Sequence, residues 1–201
     1  MTDRSAVIEA GSEMIRLMMK PTNADPTALV QRFRETVFTT HEFVDLEITP
    51  TFALVFTMTE EFAELSGTDL SPLLGMDHKA WDDIEWWAQE LCTMISIDAD
   101  FSWDAGEALR RHQEGGLSPV PLGMIALDDW MAPRGFRFIR LDDGSDAYHG
   151  FPVRLDCLDR MFALGDATGI RLSEPGEMLR AHLARVEASA KRPRFTLRRR
   201  R

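Results

Sequence analysis

Apolar residues recur three or four positions apart through much of the chain, which is the spacing of one face of a helix. This pattern predicts helices over residues 4–19, 28–43, 59–65, 81–97, 105–112, 124–131, 155–164 and 177–190. Short runs rich in β-branched and aromatic residues predict strands over 52–56, 71–78, 136–141, 147–153 and 169–173. We therefore predict an α+β fold, with a helical N-terminal half and a small, mainly antiparallel sheet in the C-terminal half.

The predicted helix over residues 81–97 has an unusual arrangement of tryptophans. Its apolar face carries Trp81, Ile84, Ala88, Leu91, Cys92 and Ile95. Trp86 lies almost opposite that face, among acidic and polar side chains. Either a second element covers Trp86, or it is exposed for a partner. Burial beneath the C-terminal sheet is the favoured interpretation, because Phe136, Phe138 and Tyr148 must pack against something.

The segment FRFIRLDDGSDAYHGFPV, residues 136–153, places a group of acids between two apolar runs. Gly144 can adopt a positive φ, and Asp and Ser side chains bond to turn backbones, so a hairpin is predicted with Asp142 and Asp146 in its connection. A metal site formed by Asp142, Asp146 and His149 is the alternative, although the ligand spacing of an EF-hand loop is absent. Tyr148 follows directly. The candidate binding residues are therefore Trp86, Asp142, Asp146, Tyr148 and His149.

Other chemical motifs are weak or missing. Asp98-x-Asp100 follows an apolar run, as in some magnesium sites, but its place after a predicted helix favours helix termination. Neither a nucleophile elbow, a phosphate-binding glycine loop nor a zinc-protease motif occurs. The five histidines are scattered at no metal spacing. No catalytic residue, metal ligand or cofactor is therefore assigned.

Charge is distributed unevenly along the 201 residues, whose formal net charge is −10. The segment KRPRFTLRRRR, residues 191–201, holds seven basic groups and no acid, so the first 190 residues carry 16 basic and 33 acidic groups, a net charge of −17. We predict one α+β domain over 1–190 and a basic, disordered tail over 191–201 that makes weak contact with nucleic acid or an anionic surface. Deleting this tail should leave the melting temperature nearly unchanged.

The compartment is predicted from three features. Acidic and basic residues interrupt the N-terminal apolar run, unlike a secretory signal. No run approaches the roughly 20 apolar residues that span a bilayer. Two cysteines, Cys92 and Cys157, are too few for a disulfide framework and indicate a reducing environment. The chain is predicted to be cytoplasmic, with no membrane span.

Two segments together resemble a bacterial family, the domain of unknown function DUF6630. They are GMDHKAWDDIEWWAQEL and, some fifty residues later, WMAPRGFRFIRLDDGSDAYHGFPV. The residues that carry the resemblance are Asp77, Lys79, Asp83, Trp86, Trp87, Gly135, Asp142, Gly144, Asp146 and Tyr148. The resemblance covers about residues 50–172. It implies a small cytosolic α+β domain and no established catalytic residue.

These observations favour a non-catalytic binding protein. An acidic body suits a basic protein partner, as for an immunity protein or a regulator that masks a cationic toxin or nuclease. A homodimer is a further possibility. The alternative is a metal-dependent hydrolase that uses Asp142, Asp146 and His149.

Overall fold

The computed structural model describes residues 3–22, 24–40, 46–67, 71–77, 83–98, 100–104, 106, 110 and 119–177. In this part of the chain the helices are α1 (Arg4–Met19), α2 (Thr27–Thr36), α3 (Pro50–Phe56), α4 (Phe62–Ser66), α5 (Ile84–Met94), α6 (Pro119–Met131) and α7 (Leu158–Thr168). The strands are β1 (Leu74–Met76), β2 (Phe136–Asp142), β3 (Tyr148–Arg154) and β4 (Arg171–Ser173). Helices dominate the N-terminal half and a small sheet forms in the C-terminal half, so the predicted α+β fold is confirmed.

The predicted strand over residues 52–56 is wrong, because this segment is helix α3. A short apolar run fits a buried strand and a buried helix equally well. The residues at the start of the segment favour the helix. The Thr49 hydroxyl caps it by accepting a hydrogen bond from the Phe52 amide at 3.2 Å, and Pro50 fits the first turn. A π-helical turn, Thr57–Glu61, then joins α3 to α4, which ends at left-handed Gly67 as predicted.

Several predicted boundaries also move. Helix α2 ends at Thr36 because Val37 is extended and Phe38 has a φ of 63°. Helix α6 begins at Pro119, since proline is tolerated in a first turn. Most of the predicted helix over 105–112, most of the one over 177–190 and the tail lie outside the described residues.

The four strands form an antiparallel sheet in the order β1-β3-β2-β4. Strands β2 and β3 are the long central pair, with Ile139 opposite Phe151 and Arg140 opposite Gly150. Each outer strand has three residues, and β4 pairs with β2 only over Arg140–Asp142. The first half of β2 therefore has an open edge on that side.

Helices cover both faces of the sheet, whereas many antiparallel sheets leave one face in water. On one face Ile139, Leu141 and Phe151 pack in a core with residues of α1, α2, α3 and α7. On the other, Phe138 and Met76 pack with α5 and α6. Side chains alternate along each strand, so neighbouring residues of β2 belong to different cores.

Asp128 of α6 closes the open edge of β2. Its Oδ1 atom accepts a hydrogen bond from the Phe138 amide at 2.8 Å, where β4 does not reach. The same carboxylate binds the Arg137 guanidinium through two bonds, 2.9 and 2.7 Å long. The Glu174 carboxylate lies 3.2 Å from the Nη2 atom of Arg137, the nitrogen that also bonds to Asp128. The hydrogen bond to Asp128 raises the pKa of Arg137 above its usual range.

In the described part of the chain, the helices are too short or too polar to cross a lipid bilayer.

Candidate functional site

The acidic segment forms the turn between β2 and β3, as the sequence predicted. Gly144 has a φ of 79°. The Asp142 carboxylate accepts a hydrogen bond from the Gly144 amide at 3.2 Å. Asp143, rather than Asp146, is the second acid that holds the described turn, because its Oδ1 atom accepts from the amide and the hydroxyl of Ser145. Asp146 lies in the same turn and is exposed.

The predicted cluster of Asp142, Asp146 and His149 does not converge. The Oδ1 atom of Asp142 lies 3.6 Å from Nη2 of Arg140, and its Oδ2 atom lies 3.8 Å from Nη1 of Arg171. Arg171 is the residue of β4 that pairs with Asp142. His149 instead approaches Asp143, with 3.3 Å between Nδ1 and Oδ2. Within the ranges described, no three histidine, cysteine or acidic side chains are arranged to hold a metal ion.

Asp143 and His149 form a largely buried pair beside β1. Burial alone would raise the pKa of Asp143, but hydrogen bonds from Ser145 and the nearby His149 outweigh it and lower that pKa. The Nδ1 atom of His149 is buried and makes no well-aligned hydrogen bond. Its Nε2 atom faces the backbone of β1, 3.1 Å from where a Cβ on Gly75 would sit. Both ring nitrogens of His149 therefore lie against the protein, Nδ1 beside Asp143 and Nε2 over β1.

Trp86 is exposed, so the favoured prediction of burial beneath the sheet is wrong. Its side chain is 59% exposed. Its neighbour Trp87 occupies the position against the sheet expected for Trp86. The ring of Trp87 is edge-on to that of Phe138, with 5.8 Å between the ring centroids. Tyr148 packs against the same core. Because α5 already buries a complete apolar face, Trp86 is left on the outer surface.

A pocket of about 580 Å³ opens beyond Trp86 at the C-terminal end of α5. We call it the acidic pocket; its lining residues are Gln89, Cys92, Thr93, Ser96, Ile97, Asp98 and Asp100. Gln89 and Thr93 lie three and seven positions after Trp86, on the same side of the helix. Trp86 therefore lies on the same side of α5 as two residues of the pocket lining.

The end of α5 explains how the pocket forms. The Ile97 amide bonds to the Cys92 carbonyl at 2.8 Å and the Ser96 amide to the Thr93 carbonyl at 3.2 Å, which is a Schellman turn. Ser96 has a φ of 59° at the position where glycine is usual. This turn carries the chain back past the helix end and sets Asp98 and Asp100 beside it. One sequence signal marks this site, the Asp-x-Asp spacing of Asp98 and Asp100 after an apolar run.

The electrostatics of the acidic pocket favour a cation. The C-terminus of a helix carries about half a negative charge, and α5 has no basic residue in its last turn to offset it. The exposed carboxylates of Asp98 and Asp100 add to this negative potential. Burial raises the pKa of the Cys92 thiol in the pocket wall and outweighs the nearby Arg134 cation, which lowers it. Arg134 thus offsets part of the negative potential at the pocket. The pocket offers acceptors for a positively charged group, without an activated nucleophile.

The fold and this surface define a class of protein: a small α+β domain whose antiparallel sheet is buried on both faces and whose outer helix carries an aromatic and acidic surface. The chain belongs to the family described as domain of unknown function DUF6630, whose model matches residues 8–176. The match extends the predicted resemblance towards the N-terminus, through most of α1 and all of α2. No curated protein and no solved structure matches the chain.

Proposed function

We propose that this chain is a cytoplasmic, non-catalytic binding protein that receives a basic protein partner on Trp86 and the acidic pocket. The observation that carries the proposal is the 59% exposure of Trp86 on the same side of α5 as a pocket that Asp98 and Asp100 line at the helix C-terminus. Bacterial origin and an immunity-like or regulatory role belong to the same proposal. The buried free cysteines, Cys92 and Cys157, support a reducing compartment.

Both parts of the surface suit an arginine or lysine side chain. Tryptophan is enriched among interface residues that contribute most to affinity, and its ring face attracts guanidinium groups. The carboxylates of Asp98 and Asp100 follow the C-terminal end of α5, which lies about 12 Å along the helix axis from Trp86, and they can accept hydrogen bonds from a second cation. The net charge of −10 would raise the association rate with a basic partner.

The alternative of a metal-dependent hydrolase has no comparable support, since Asp142 and His149 pair with different partners. The homodimer and the contact of residues 191–201 with nucleic acid stay predictions.

Isothermal titration with an octa-arginine peptide tests the proposal. We expect Trp86→Ala to weaken binding by about tenfold or more, because it removes the aromatic anchor. The double variant Asp98→Asn, Asp100→Asn should weaken binding by about tenfold, more strongly at low salt. Because all three side chains are exposed, the melting temperature should stay nearly unchanged.

The matched control is Glu60→Gln, Glu64→Gln, which removes the same number of charges from exposed positions in the π-helical turn and in α4. It should weaken binding by less than about twofold. Equal losses in the control and the site variants would mean that the peptide responds to net charge alone, and the proposed site would be wrong.

A further inference from the structure

A second cavity of about 460 Å³ lies where α3 meets the turn of the hairpin, and we call it the α3 groove. Its apolar lining includes Leu46, Ile48, Phe52 and Val55, and the carboxylates of Glu47 and Asp143 reach the same cavity. Small-molecule sites typically have a volume of about 300 to 1,000 Å³, mostly apolar walls and a few polar groups. The α3 groove has all three properties.

The walls of the groove are held in place by backbone bonds and ring packing. The Ile48 amide bonds to the Thr39 carbonyl at 2.8 Å, and the Phe38 amide bonds to the Ile48 carbonyl at 2.9 Å. On α3, the rings of Phe52 and Phe56 stack in parallel with 6.3 Å between their centroids. A ligand would therefore meet an ordered aromatic wall, which lowers the entropic cost of binding.

Two large apolar side chains of the α3 groove are unusually exposed. Leu46 is 66% exposed and Phe52 is 49% exposed, and both line this one cavity. Adjacent exposed apolar groups often mark a binding site, because covering them removes apolar surface from water. Trp86 lies on a different helix, α5, so this surface is separate from the site of the proposed function.

The two carboxylates differ in what already binds them. Glu47 forms an ion pair with Arg4 at 2.5 Å, so its charge is largely offset. Asp143 is ionised, since the hydrogen bonds from Ser145 lower its pKa. Its other neighbour is His149, whose Nδ1 atom lies 3.3 Å from Oδ2 of Asp143. Among the described residues, Glu47 pairs with an arginine and Asp143 does not, so Asp143 is the carboxylate of the groove that we expect an ammonium group to meet.

We propose that the α3 groove binds a small hydrophobic amine, with its apolar body against Leu46 and Phe52 and its ammonium group at the Asp143 carboxylate. A carboxylate ligand of the same shape would meet repulsion from Asp143 and Glu47. A neutral ligand would gain the apolar contact and lose the charge-assisted hydrogen bond. The order of affinity is therefore amine, alcohol, carboxylate.

Three probes of one shape test this order: 2-phenylethylamine, 2-phenylethanol and phenylacetate, each titrated into ¹⁵N-labelled full-length chain and followed by NMR. We expect the amine to bind with a Kd on the order of 1 mM, about fivefold or more tighter than the alcohol. Phenylacetate should bind more weakly than either. The signals that shift should come from residues 46–55 and the hairpin turn.

Variants separate the two contacts. Phe52→Ala should weaken the amine and the alcohol alike by about fivefold or more. Asp143→Asn should remove the preference for the amine and leave the alcohol unchanged, a ratio that does not depend on small losses of stability. Leu155→Ala, at an exposed leucine outside the lining of the groove, is the control and should change neither affinity.

Three results would overturn the proposal. The first is no response to the amine at about 10 mM. The second is phenylacetate binding as tightly as the amine, or an amine preference that survives in Asp143→Asn. The third is a concentration-dependent dimer that Leu46→Ala abolishes in light scattering, which would assign the groove to a second copy of the chain. None of these outcomes bears on Trp86, so the proposed function would stand or fall separately.

Discussion

Replacing Asp128 by alanine is expected to lower the free energy of unfolding by about 3 kcal/mol, the cost of breaking a buried charge pair. Asp128 is 6% exposed and has two roles. Its loss would leave the Arg137 guanidinium facing Glu174 alone and the Phe138 amide without an acceptor. For a chain of this size the melting temperature should fall by about 6 to 12 °C, measured by circular dichroism or calorimetry.

The next residue supplies the control. Asp129 is exposed on the same helix, so Asp129→Ala should change the melting temperature by less than about 2 °C. Asp128→Asn should fall between wild type and Asp128→Ala, because the amide oxygen can still accept from the Phe138 N–H while the charge is lost. If Asp128→Ala and Asp129→Ala were equally stable, the sheet edge would not depend on this carboxylate.

Gly150→Ala is expected to lower stability by about 2 kcal/mol, although alanine usually suits a strand better than glycine. A Cβ at this position would lie 2.5 Å from two ring carbons of Phe138 and 3.1 Å from the Ile139 carbonyl oxygen. The Phe138 ring is fully buried and packs edge-on against Trp87. It has little room to move, so the added methyl group must displace β3 or α5. Urea unfolding measures the loss.

A double-mutant cycle shows whether the ring is the obstacle. Phe138→Leu removes the ring carbons that the methyl group would meet. In that background Gly150→Ala should cost less than half as much as in wild type, a favourable coupling of about 1 kcal/mol or more. If Gly150→Ala cost as much stability in the Phe138→Leu background as in wild type, the clash would lie elsewhere. A stabilising effect of Gly150→Ala would contradict the packing of β2 against β3.

Local sequence signals predict much of this fold. The spacing of Val7, Met14 and Met18 predicts α1, and Gly169 ends α7 with a φ of 76°, as a residue without a Cβ readily can. The hairpin follows from two apolar runs around Gly144. These elements depend on residues close together in the sequence, so a pattern of ten to twenty residues is sufficient.

Other features depend on contacts between distant segments and escape such patterns. The segment that forms helix α3 is predicted as a strand because its apolar run is short. Asp128 lies on the apolar stripe of α6 with Met124, Leu127 and Met131, so the sequence pattern indicates a buried acid. The pattern does not indicate that its partner lies on β2. The predicted metal cluster is wrong because Asp142 lies near Arg140 and Arg171 and His149 lies near Asp143, and these contacts follow from strand pairing.

The candidate site is predicted in part. The helical pattern alone separates Trp86 from the apolar face of α5, but its exposure depends on Trp87 already filling the space against Phe138. The acidic pocket depends on the left-handed conformation of Ser96, which serine rarely adopts and which no local signal predicts. The α3 groove joins residues about 90 positions apart, and their meeting follows from tertiary packing.

Fluorine NMR of the chain labelled with 5-fluorotryptophan is the most direct test of the central claim, that Trp86 and the acidic pocket form a binding surface for a basic partner. The chain has five tryptophans, and the Trp86→Phe variant assigns the resonance of Trp86. On addition of the octa-arginine peptide, we expect the Trp86 resonance to shift strongly, while that of buried Trp87 moves little. A Trp86 resonance that stays unchanged while the peptide binds would contradict the account.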